Sequence, residues 1–291
     1  FIREVTLKNM TLVNGYHELR GGAINLYGNY FTLENMEFRN NSAKGYGGAI
    51  AFYNNNAKLI NCTFISNRAG NQGGAIFFGN EGGNYAIVQN NAFINNTAKN
   101  GGAIYSFLAR NVNFMGNRFI SNNATLGGAI YNYRSPYNVL NQSIFSANTA
   151  KMGGAIYYEV NTIPIVSSNF TRNVAEKGGA IYVSNKDNNG NPTTGKSLDI
   201  SNSYFMDNKA TDNEIIIIND DRDNQILTAA LKGGENYINA IYAEDGADAY
   251  FNNTFYRADD DWLTADHIPK SEYATFVKIT MVDLKNNAFR R

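Results

Sequence analysis

The stretch FISNRAGNQGGAI, from Phe64 to Ile76, is repeated almost unchanged as FISNNATLGGAI, from Phe119 to Ile130. Its second half, Gly-Gly-Ala-Ile, occurs seven times at intervals of 25 to 28 residues, most often 26, and begins at Gly21, Gly47, Gly73, Gly101, Gly127, Gly153 and Gly178. Degenerate copies, NEII and NAIY, begin at Asn213 and Asn239. A fixed period in this range is typical of a solenoid, in which stacked repeats share one core.

The first half of the stretch recurs with the same period. The repeated phenylalanine stands at Phe38, Phe64, Phe93, Phe119, Phe145, Phe170 and Phe205, and Phe255 continues the series. Three residues after each of the first seven stands an asparagine: Asn41, Asn67, Asn96, Asn122, Asn148, Asn173 and Asn208. An alanine follows two residues later in every copy. Seven copies of a two-part motif at one period indicate a single repeating architecture.

Short alternating runs favour strands over helices in every repeat. In YFTLENMEF, from Tyr30 to Phe38, apolar residues take alternate positions within two short runs, whereas a helix would place them three and four residues apart. Leucine-rich repeats have a similar period but need a leucine ladder, and this chain carries Phe and Ile instead. The sequence therefore predicts an all-β, right-handed parallel β-helix of about nine to ten coils over residues 1–255.

Stacking assigns a role to each repeated residue. Equivalent positions of neighbouring coils lie about 4.8 Å apart, so that like side chains form ladders. Phe and Ile ladders should fill the core, and the Asn ladder should pair amide to amide and hold a turn. The two glycines should allow a positive φ and a close backbone approach at a corner. Ala should occupy the narrow part of the coil.

Two segments depart from the repeat. The polar insert NKDNNGNPTTGK (Asn185–Lys196) is predicted to be a surface loop, and EIIIIND (Glu214–Asp220) a buried strand. Residues 256–291 are predicted to cap the last coil or to begin a following domain, with a strand within ATFVKITMVDL (Ala274–Leu284). The chain opens within the repeat pattern, so we expect a piece of a longer protein.

Composition excludes several functional classes. Lys and Arg together number 25, as do Asp and Glu together, so the net charge is zero. The sequence therefore lacks the excess of positive charge that is typical of nucleic-acid-binding proteins. No run approaches the roughly 20 apolar residues of a membrane-spanning helix. Cys62 is the only cysteine, so an intrachain disulfide cannot form. Asparagine is the outlier at 47 of 291 residues, which, with 27 glycines, indicates many tight turns.

The motif pair resembles a known style of surface protein. Gly-Gly-Ala-Ile with Phe-x-x-Asn, over about residues 5–255, is similar to the repeats of chlamydial polymorphic outer-membrane proteins. It is still more similar to the adhesin-like cell-surface proteins of methanogenic archaea. The resemblance implies extracellular display at the cell surface and adhesion. The chlamydial proteins carry a C-terminal membrane barrel that this sequence does not show, which favours the archaeal resemblance or attachment to a cell wall.

Catalytic and metal-binding signals are sparse. Polysaccharide lyases and glycoside hydrolases need clustered carboxylates or Asp with basic residues and calcium, and acidic residues in the regular coils are few. Asp220, Asp221 and Asp223 could hold calcium, the alternative being solvated loop charges. His17 and His267 match no metal spacing. The sequence predicts a protein that is not an enzyme and needs no cofactor.

An aromatic stripe is the candidate ligand-binding feature. The residue after Gly-Gly-Ala-Ile is aromatic in five successive coils, at Phe77, Tyr105, Tyr131, Tyr157 and Tyr182. If Ile points inward, alternation sends these residues outward, where they could stack on sugar rings or contact a protein. The alternative is that the stripe only stabilises its sheet, and the next position in each coil is also largely apolar.

Eight Asn-x-Ser/Thr sequons offer glycosylation sites, at Asn9, Asn40, Asn61, Asn95, Asn123, Asn141, Asn169 and Asn252. Several stand beside the Phe-x-x-Asn turn, so burial in a ladder is the alternative. The sequence as a whole predicts an extracellular adhesin or stalk that binds a surface glycan or protein of another cell. A carbohydrate-active β-helix enzyme and a self-associating wall or sheath component are the alternatives.

Overall fold

A computed structural model describes the backbone of residues 4–28, 30–53, 56–79, 85–160, 162–184, 196–206 and 208–211. Beyond these it describes strands at 216–220, 225–229, 241–243, 247–252, 255–257 and 276–280. Side chains are described within the first group of ranges, apart from residues 196–199.

The described residues form short strands joined by turns. In chain order they are β1 (Glu4–Lys8), β2 (Thr11–Val13), β3 (Tyr16–His17), β4 (Ile24–Tyr27), β5 (Tyr30–Glu34), β6 (Glu37–Arg39), β7 (Ser42–Ala43), β8 (Ile50–Tyr53), β9 (Asn56–Ile60), β10 (Thr63–Ile65), β11 (Arg68–Ala69), β12 (Ile76–Gly79), β13 (Tyr85–Gln89), β14 (Ala92–Ile94), β15 (Ile104–Phe107), β16 (Val112–Met115), β17 (Arg118–Ile120), β18 (Ile130–Tyr133), β19 (Val139–Asn141), β20 (Ile144–Ser146), β21 (Ile156–Glu159), β22 (Ile165–Val166), β23 (Asn169–Thr171), β24 (Val174–Ala175), β25 (Ile181–Ser184), β26 (Lys196–Ser201), β27 (Tyr204–Met206), β28 (Lys209–Ala210), β29 (Ile216–Asp220), β30 (Gln225–Ala229), β31 (Ile241–Ala243), β32 (Ala247–Asn252), β33 (Phe255–Arg257) and β34 (Phe276–Thr280).

These strands build three long sheets in which neighbours come from successive coils. Sheet 1 has the order β1-β5-β9-β13-β16-β19-β22-β26-β32-β34-β29-β30, sheet 2 the order β2-β6-β10-β14-β17-β20-β23-β27-β33, and sheet 3 the order β31-β25-β21-β18-β15-β12-β8-β4. Pairing between coils is parallel, and Phe64 lies opposite Phe38 and Phe93. The predicted parallel β-helix is confirmed.

A residue in the left-handed region marks each corner of a coil. In the second coil Asn35 (φ 53°) joins sheet 1 to sheet 2, Asn40 (φ 54°) follows sheet 2, and Gly47 (φ 61°) precedes sheet 3. Asn and Gly tolerate positive φ better than other residues, which explains their abundance in this chain. The connection from sheet 3 to the next coil carries most of the differences in repeat length. Of the predicted loop Asn185–Lys196, residues 185–195 lie outside the described residues, and Lys196 is the first residue of β26 rather than part of a loop.

The Phe ladder forms as predicted. Its rings, from Phe38 to Phe205, are completely buried and stack with centroids 4.7–4.8 Å apart. The Ile residues of Gly-Gly-Ala-Ile lie in the same core cluster. Cys62 is buried there as well, and burial raises the pKa of its thiol to about 11. Cys62 is therefore an unreactive core cysteine.

The Asn ladder satisfies each of its inner members completely. The Nδ2 group of Asn122 donates to the carbonyl oxygen of Phe93 (2.9 Å) and to Oδ1 of Asn148 (3.0 Å). Oδ1 of Asn122 accepts from the backbone N and from Nδ2 of Asn96, at 2.9 and 3.0 Å. The same pattern runs from Asn41 to Asn208. Each amide therefore bonds to two neighbouring coils, as the repeat predicted.

A second polar ladder was missed by sequence reasoning. It lies two residues before the Phe ladder, where Asn91 and Asn117 are followed by Ser143, Ser168 and Ser203, all buried. Each side-chain oxygen accepts from the backbone N of the preceding coil, as in Asn91 N to Asn117 Oδ1 at 3.0 Å. The identities change from Met36 and Cys62 through Asn to Ser along the stack, so no constant residue marks the position.

The end of the stack corrects two expectations. About seven turns are described in full, and the rest of the predicted nine to ten lie largely outside the described residues. The NEII copy at Asn213 does not enter sheet 3, since β29 pairs antiparallel with β30 and β34. The NAIY copy does enter it, with Ile241 opposite Ile181. Phe255 is not in the Phe ladder, because Tyr256 lies opposite Phe205 and Phe255 opposite Tyr204.

The C-terminal segment is described only as one strand. β34 lies within the predicted Ala274–Leu284 strand and pairs antiparallel with β32. The β29 strand likewise lies within the predicted Glu214–Asp220 segment. The division at residue 255 between β-helix and cap stays a prediction.

Candidate functional site

The outer face of sheet 1 carries a cleft. Alternate residues of its strands point away from the core, so in β5 Phe31 and Leu33 are buried whereas Tyr30 is 56% exposed. The pairing register puts Glu4, Tyr30, Asn56 and Tyr85 side by side on four successive coils. Tyr85 is 66% exposed. Two exposed tyrosine rings therefore flank one asparagine amide along the stacking direction.

The same position continues the alternation in the next two coils. Asn113 lies opposite Ile87 and Val139, so that Asn111 and Tyr137 follow Tyr85 along the stack, although both have a positive φ (58° and 63°) and lie just before β16 and β19. Tyr137 is 73% exposed. We call the set Tyr30, Asn56, Tyr85, Asn111 and Tyr137 the Tyr–Asn column.

A parallel row of side chains forms the second wall of the cleft. It consists of Thr32, Lys58 and Ile87, each two residues after a member of the Tyr–Asn column. Between the two rows lies a cleft of about 470 Å³ around Tyr30, Asn56 and Tyr85. Aromatic rings with a few polar groups in one concave surface are the composition of a small-ligand site.

Among the described residues that line the cleft, Lys58 and Glu4 carry charge. Lys58 is exposed at its centre, and among the described residues it makes no ion pair. Glu4 lies at the end of the cleft, on a strand two coils away. Elsewhere on this face Lys8 pairs with Glu34 at 2.6 Å. Of the lining residues that the structure describes, Lys58 is thus the cation that a ligand in the cleft would meet.

The aromatic stripe predicted as a ligand-binding surface is buried. Its five residues do point away from the Ile ladder, since they belong to a hydrophobic cluster that is separate from the main core: Phe77, Tyr105, Tyr131, Tyr157 and Tyr182. Their exposed fractions are only 2–8%, however, so the expectation that they are accessible is wrong.

Neighbouring side chains explain this burial. The rings stack on one another at 4.8–5.8 Å, which covers their faces. Side chains such as Tyr46, Leu126 and Met152, each just before a Gly-Gly pair, pack against the cluster, as do Tyr53 and Phe107 at the ends of their strands. The hydroxyl of Tyr131 donates to the carboxylate of Glu159, which is also buried. The stripe is therefore a second, smaller core outside sheet 3.

Buried tyrosines predict a loss of stability in alkali. Burial raises the pKa of Tyr53 to about 12 and that of Tyr105 and Tyr158 further, relative to about 10 in an unfolded chain. Between these values the folded state holds more protons than the unfolded state, so the contribution of these tyrosines to stability is constant below pH 10 and falls as pH rises toward 12. Urea unfolding at pH 8 to 12 measures this, and the Tyr105→Phe variant should show a smaller pH dependence. A midpoint that stays constant to pH 12 would contradict the assignment.

Most sequon asparagines are accessible and do not belong to the ladders. Six of the eight are exposed: Asn9, Asn40, Asn61, Asn95, Asn123 and Asn169. Asn141 is half-buried, and the side chain of Asn252 lies outside the described residues. The ladder asparagines are the neighbouring residues, such as Asn41 beside Asn40. Glycosylation of the exposed sites stays a prediction.

No metal site is seen in the part of the chain whose side chains are described, where no group of three or more His, Cys, Asp and Glu converges. The calcium candidates lie outside it: Asp221 and Asp223 are not described, and of Asp220 only the backbone is. His267 also lies outside the described residues. The described residues contain no helix long and apolar enough to cross a bilayer.

The stacked parallel coils and ladders define a β-solenoid with an exposed cleft on one sheet. The chain belongs to the right-handed β-helix family, whose model, described as a right-handed β-helix region, matches residues 22–197. No curated protein and no solved structure matches the chain. The family match covers the Tyr–Asn column and sets the hand of the coil.

A sequence signal for the Tyr–Asn column exists. Tyr30, Tyr85 and Tyr137 are 55 and 52 residues apart, which is two repeats, and the asparagines fall between them. A search for residues conserved in every repeat does not detect a pattern that alternates from one coil to the next. Exposure, which separates this column from the buried stripe, follows from the side chains packed around each position.

Proposed function

We propose that this chain is a non-catalytic, extracellular adhesion module that binds its ligand on the outer face of sheet 1. The observation that carries the proposal is the exposure of the tyrosines of the Tyr–Asn column beside the cleft of about 470 Å³. Exposed tyrosines in a concave surface are typical of binding sites, because a ring contributes a large contact area and loses little conformational entropy.

The scaffold suits display at a cell surface. Parallel backbone pairing and the Asn ladder link successive coils from Asn41 to Asn208. The sheet that carries the cleft is therefore held in place by hydrogen bonds between coils. The exposed sequons are compatible with a glycoprotein, and the resemblance to archaeal adhesin-like proteins points to the same location. A stalk built this way holds its binding face in a fixed orientation.

Binding without catalysis is favoured by the residues that line the cleft. Acid–base cleavage of a glycosidic bond needs two carboxyl groups, and the cleft has only Glu4 among its described lining residues. Incubation of the protein with a panel of polysaccharides should therefore release neither reducing ends nor unsaturated products. Release of either would favour the alternative, a carbohydrate-active enzyme.

Adhesion is tested with beads coated in this protein. We expect the beads to bind some members of a panel of microbial and animal cells, and beads with Tyr30→Ala and Tyr85→Ala together to bind at least about tenfold fewer of them. Beads with Tyr16→Ala provide the control, because Tyr16 is 55% exposed but lies on β3, outside sheet 1. Absence of binding to every cell type, with self-association in solution, would favour a structural wall component instead.

A further inference from the structure

The eight sequons are arranged around sheet 2. Each stands within three residues in sequence of a strand of that sheet, and eight of its nine strands have one sequon beside them. Asparagine also occurs in sheets 1 and 3, as at Asn25, Asn56 and Asn132, but no Ser or Thr stands two residues after these three. Successive coils therefore offer attachment points for glycans beside the same sheet.

Exposed sequons flank sheet 2 on both of its sides. Asn9 and Asn61, each with a φ of 54°, occupy the corner before this sheet, whereas Asn40 (φ 54°) and Asn95 (φ 55°) occupy the corner after it. The strands between the two corners are three residues long, which is about 10 Å. A glycan of several sugars is bulky on this scale, so glycans at the two corners reach over the outer face of the sheet.

The outer face of sheet 2 is apolar between these corners. Ile65, Ile94 and Ile120 lie side by side on three successive coils, and we call them the Ile stripe. Each points away from the core and is half-buried, since the phenylalanine before it is in the core. Ile144, in the other outward row, is 38% exposed. Apolar surface of this kind favours association with other chains unless something covers it.

Three exposed sequons stand beside the Ile stripe. Each is within four residues in sequence of one of its isoleucines, and they are Asn61, Asn95 and Asn123. Nδ2 of Asn123 donates to Oγ1 of Thr149 at 2.6 Å. An amide nitrogen has two protons, so attachment of a glycan to Nδ2 leaves one proton for this hydrogen bond. The native contact of Asn123 is therefore compatible with the modification.

We propose that Asn61, Asn95 and Asn123 carry N-linked glycans that cover the Ile stripe and prevent sheet 2 from associating with other chains. In the transfer, Nδ2 bonds to the anomeric carbon of a sugar chain carried on a polyprenyl phosphate. The bond from that carbon to the phosphate oxygen breaks, the phosphate leaves with the bonding electrons, and Nδ2 loses a proton. The inference rests on the proposed extracellular location and not on adhesion, because the cleft lies on another sheet.

Glycopeptide mapping tests attachment on the protein purified from its native cells. We expect glycans at Asn61, Asn95 and Asn123 in protein from the cell surface. Surface protein in which these three asparagines are unmodified would overturn the proposal and leave the adhesion function standing. Protein that is unmodified and found only inside the cells would overturn the extracellular location as well, and with it the proposed function.

Removal of the three sequons tests the shielding. The triple variant Thr63→Ala, Thr97→Ala and Thr125→Ala deletes the hydroxyl that each sequon needs and keeps the three asparagines. We expect its oligomeric fraction, measured by size-exclusion chromatography with light scattering, to rise at least about tenfold over that of the unmodified glycoprotein. Circular dichroism verifies that the variant is folded.

A second set of changes identifies the face that associates. Threonine keeps the β-branched shape but is polar, so three further changes in the triple variant should return the oligomeric fraction to its original value: Ile65→Thr, Ile94→Thr and Ile120→Thr. Asn169→Gln is the matched control. It deletes an exposed sequon two coils beyond Ile120, and the oligomeric fraction should not change.

Two results would overturn the shielding. A folded triple variant with the same oligomeric fraction as the glycoprotein would show that the glycans are not needed to keep the chains apart. Association that persists after the three isoleucines are replaced would place the contact on another face of the molecule.

Discussion

Replacement of Gly128 by alanine should prevent stable stacking of the coils. A Cβ atom at this position would lie 2.1 Å from the carbonyl oxygen of Gly154 in the next coil and 2.6 Å from that of Thr149. Both obstacles are backbone atoms of residues anchored by inter-coil hydrogen bonds, since the carbonyl oxygen of Thr149 accepts from Ala124 N and the backbone N of Gly154 donates to Gly178 O. They cannot move without separating the coils. We expect a loss of at least about 3 kcal/mol in unfolding free energy, measured by urea titration, or failure to accumulate as soluble protein.

Gly116→Asn is the matched control for this variant. Gly116 has a φ of 67°, but its position is Asn90 (φ 56°) in the preceding coil and Gln142 (φ 49°) in the next. The nearest atom to an added Cβ is the side-chain Oδ1 of Asn90, which can rotate away. We expect a change below about 1 kcal/mol. If Gly128→Ala were equally mild, the close approach of the coils at the Gly-Gly corner would be contradicted.

The second large effect is expected for Asn122→Asp. This change replaces the amide that donates to Phe93 O and Asn148 Oδ1 with a carboxylate, which would face two acceptors in a fully buried site. Breaking such a network and burying an unpaired charge costs about 3–5 kcal/mol near neutral pH. Thermal unfolding followed by circular dichroism should show a correspondingly lower midpoint.

The pH dependence of this variant separates charge from shape. Burial and the nearby carbonyl oxygen should raise the pKa of the introduced carboxyl above its unfolded value of about 4. The folded state then holds the proton more tightly, so the difference from the unmodified protein should shrink as pH falls toward 4. Asn123→Asp is the control, because Asn123 is the adjacent residue but is exposed. A penalty that is independent of pH would indicate lost packing alone.

Much of the fold could be predicted because the same motif recurs in seven repeats, although a single copy would not distinguish between possible local structures. Any one Phe-x-x-Asn turn is a weak signal, but seven in register require that like residues stack, and stacking fixes both ladders. The same logic failed where the repeat decays. NEII at Asn213 matches the spacing, yet β29 pairs antiparallel with other strands, and Phe255 is displaced by one residue from the ladder position.

The functional face could not be predicted in the same way. Period-two alternation correctly predicted that Tyr105 and Tyr131 point away from the Ile ladder. A side chain that points away from the core is not necessarily exposed to solvent, however, and these two are buried. Whether an outward side chain reaches solvent depends on what its neighbours in the coil cover. Leu126 and Met152 pack against the stripe outside sheet 3, whereas Tyr30 and Tyr85 remain more than half exposed on sheet 1.

The sequence by itself determined the period, the parallel stacking and the identity of the Phe and Asn ladders. These follow from local chemistry repeated at one interval, because each position meets its own copy in the next coil. Only the tertiary structure decided which aromatic residues are buried, which amides alternate with rings, and where a cleft opens. Those properties depend on how residues that are distant within one coil pack against each other. No residue that recurs in every repeat marks that packing in the sequence.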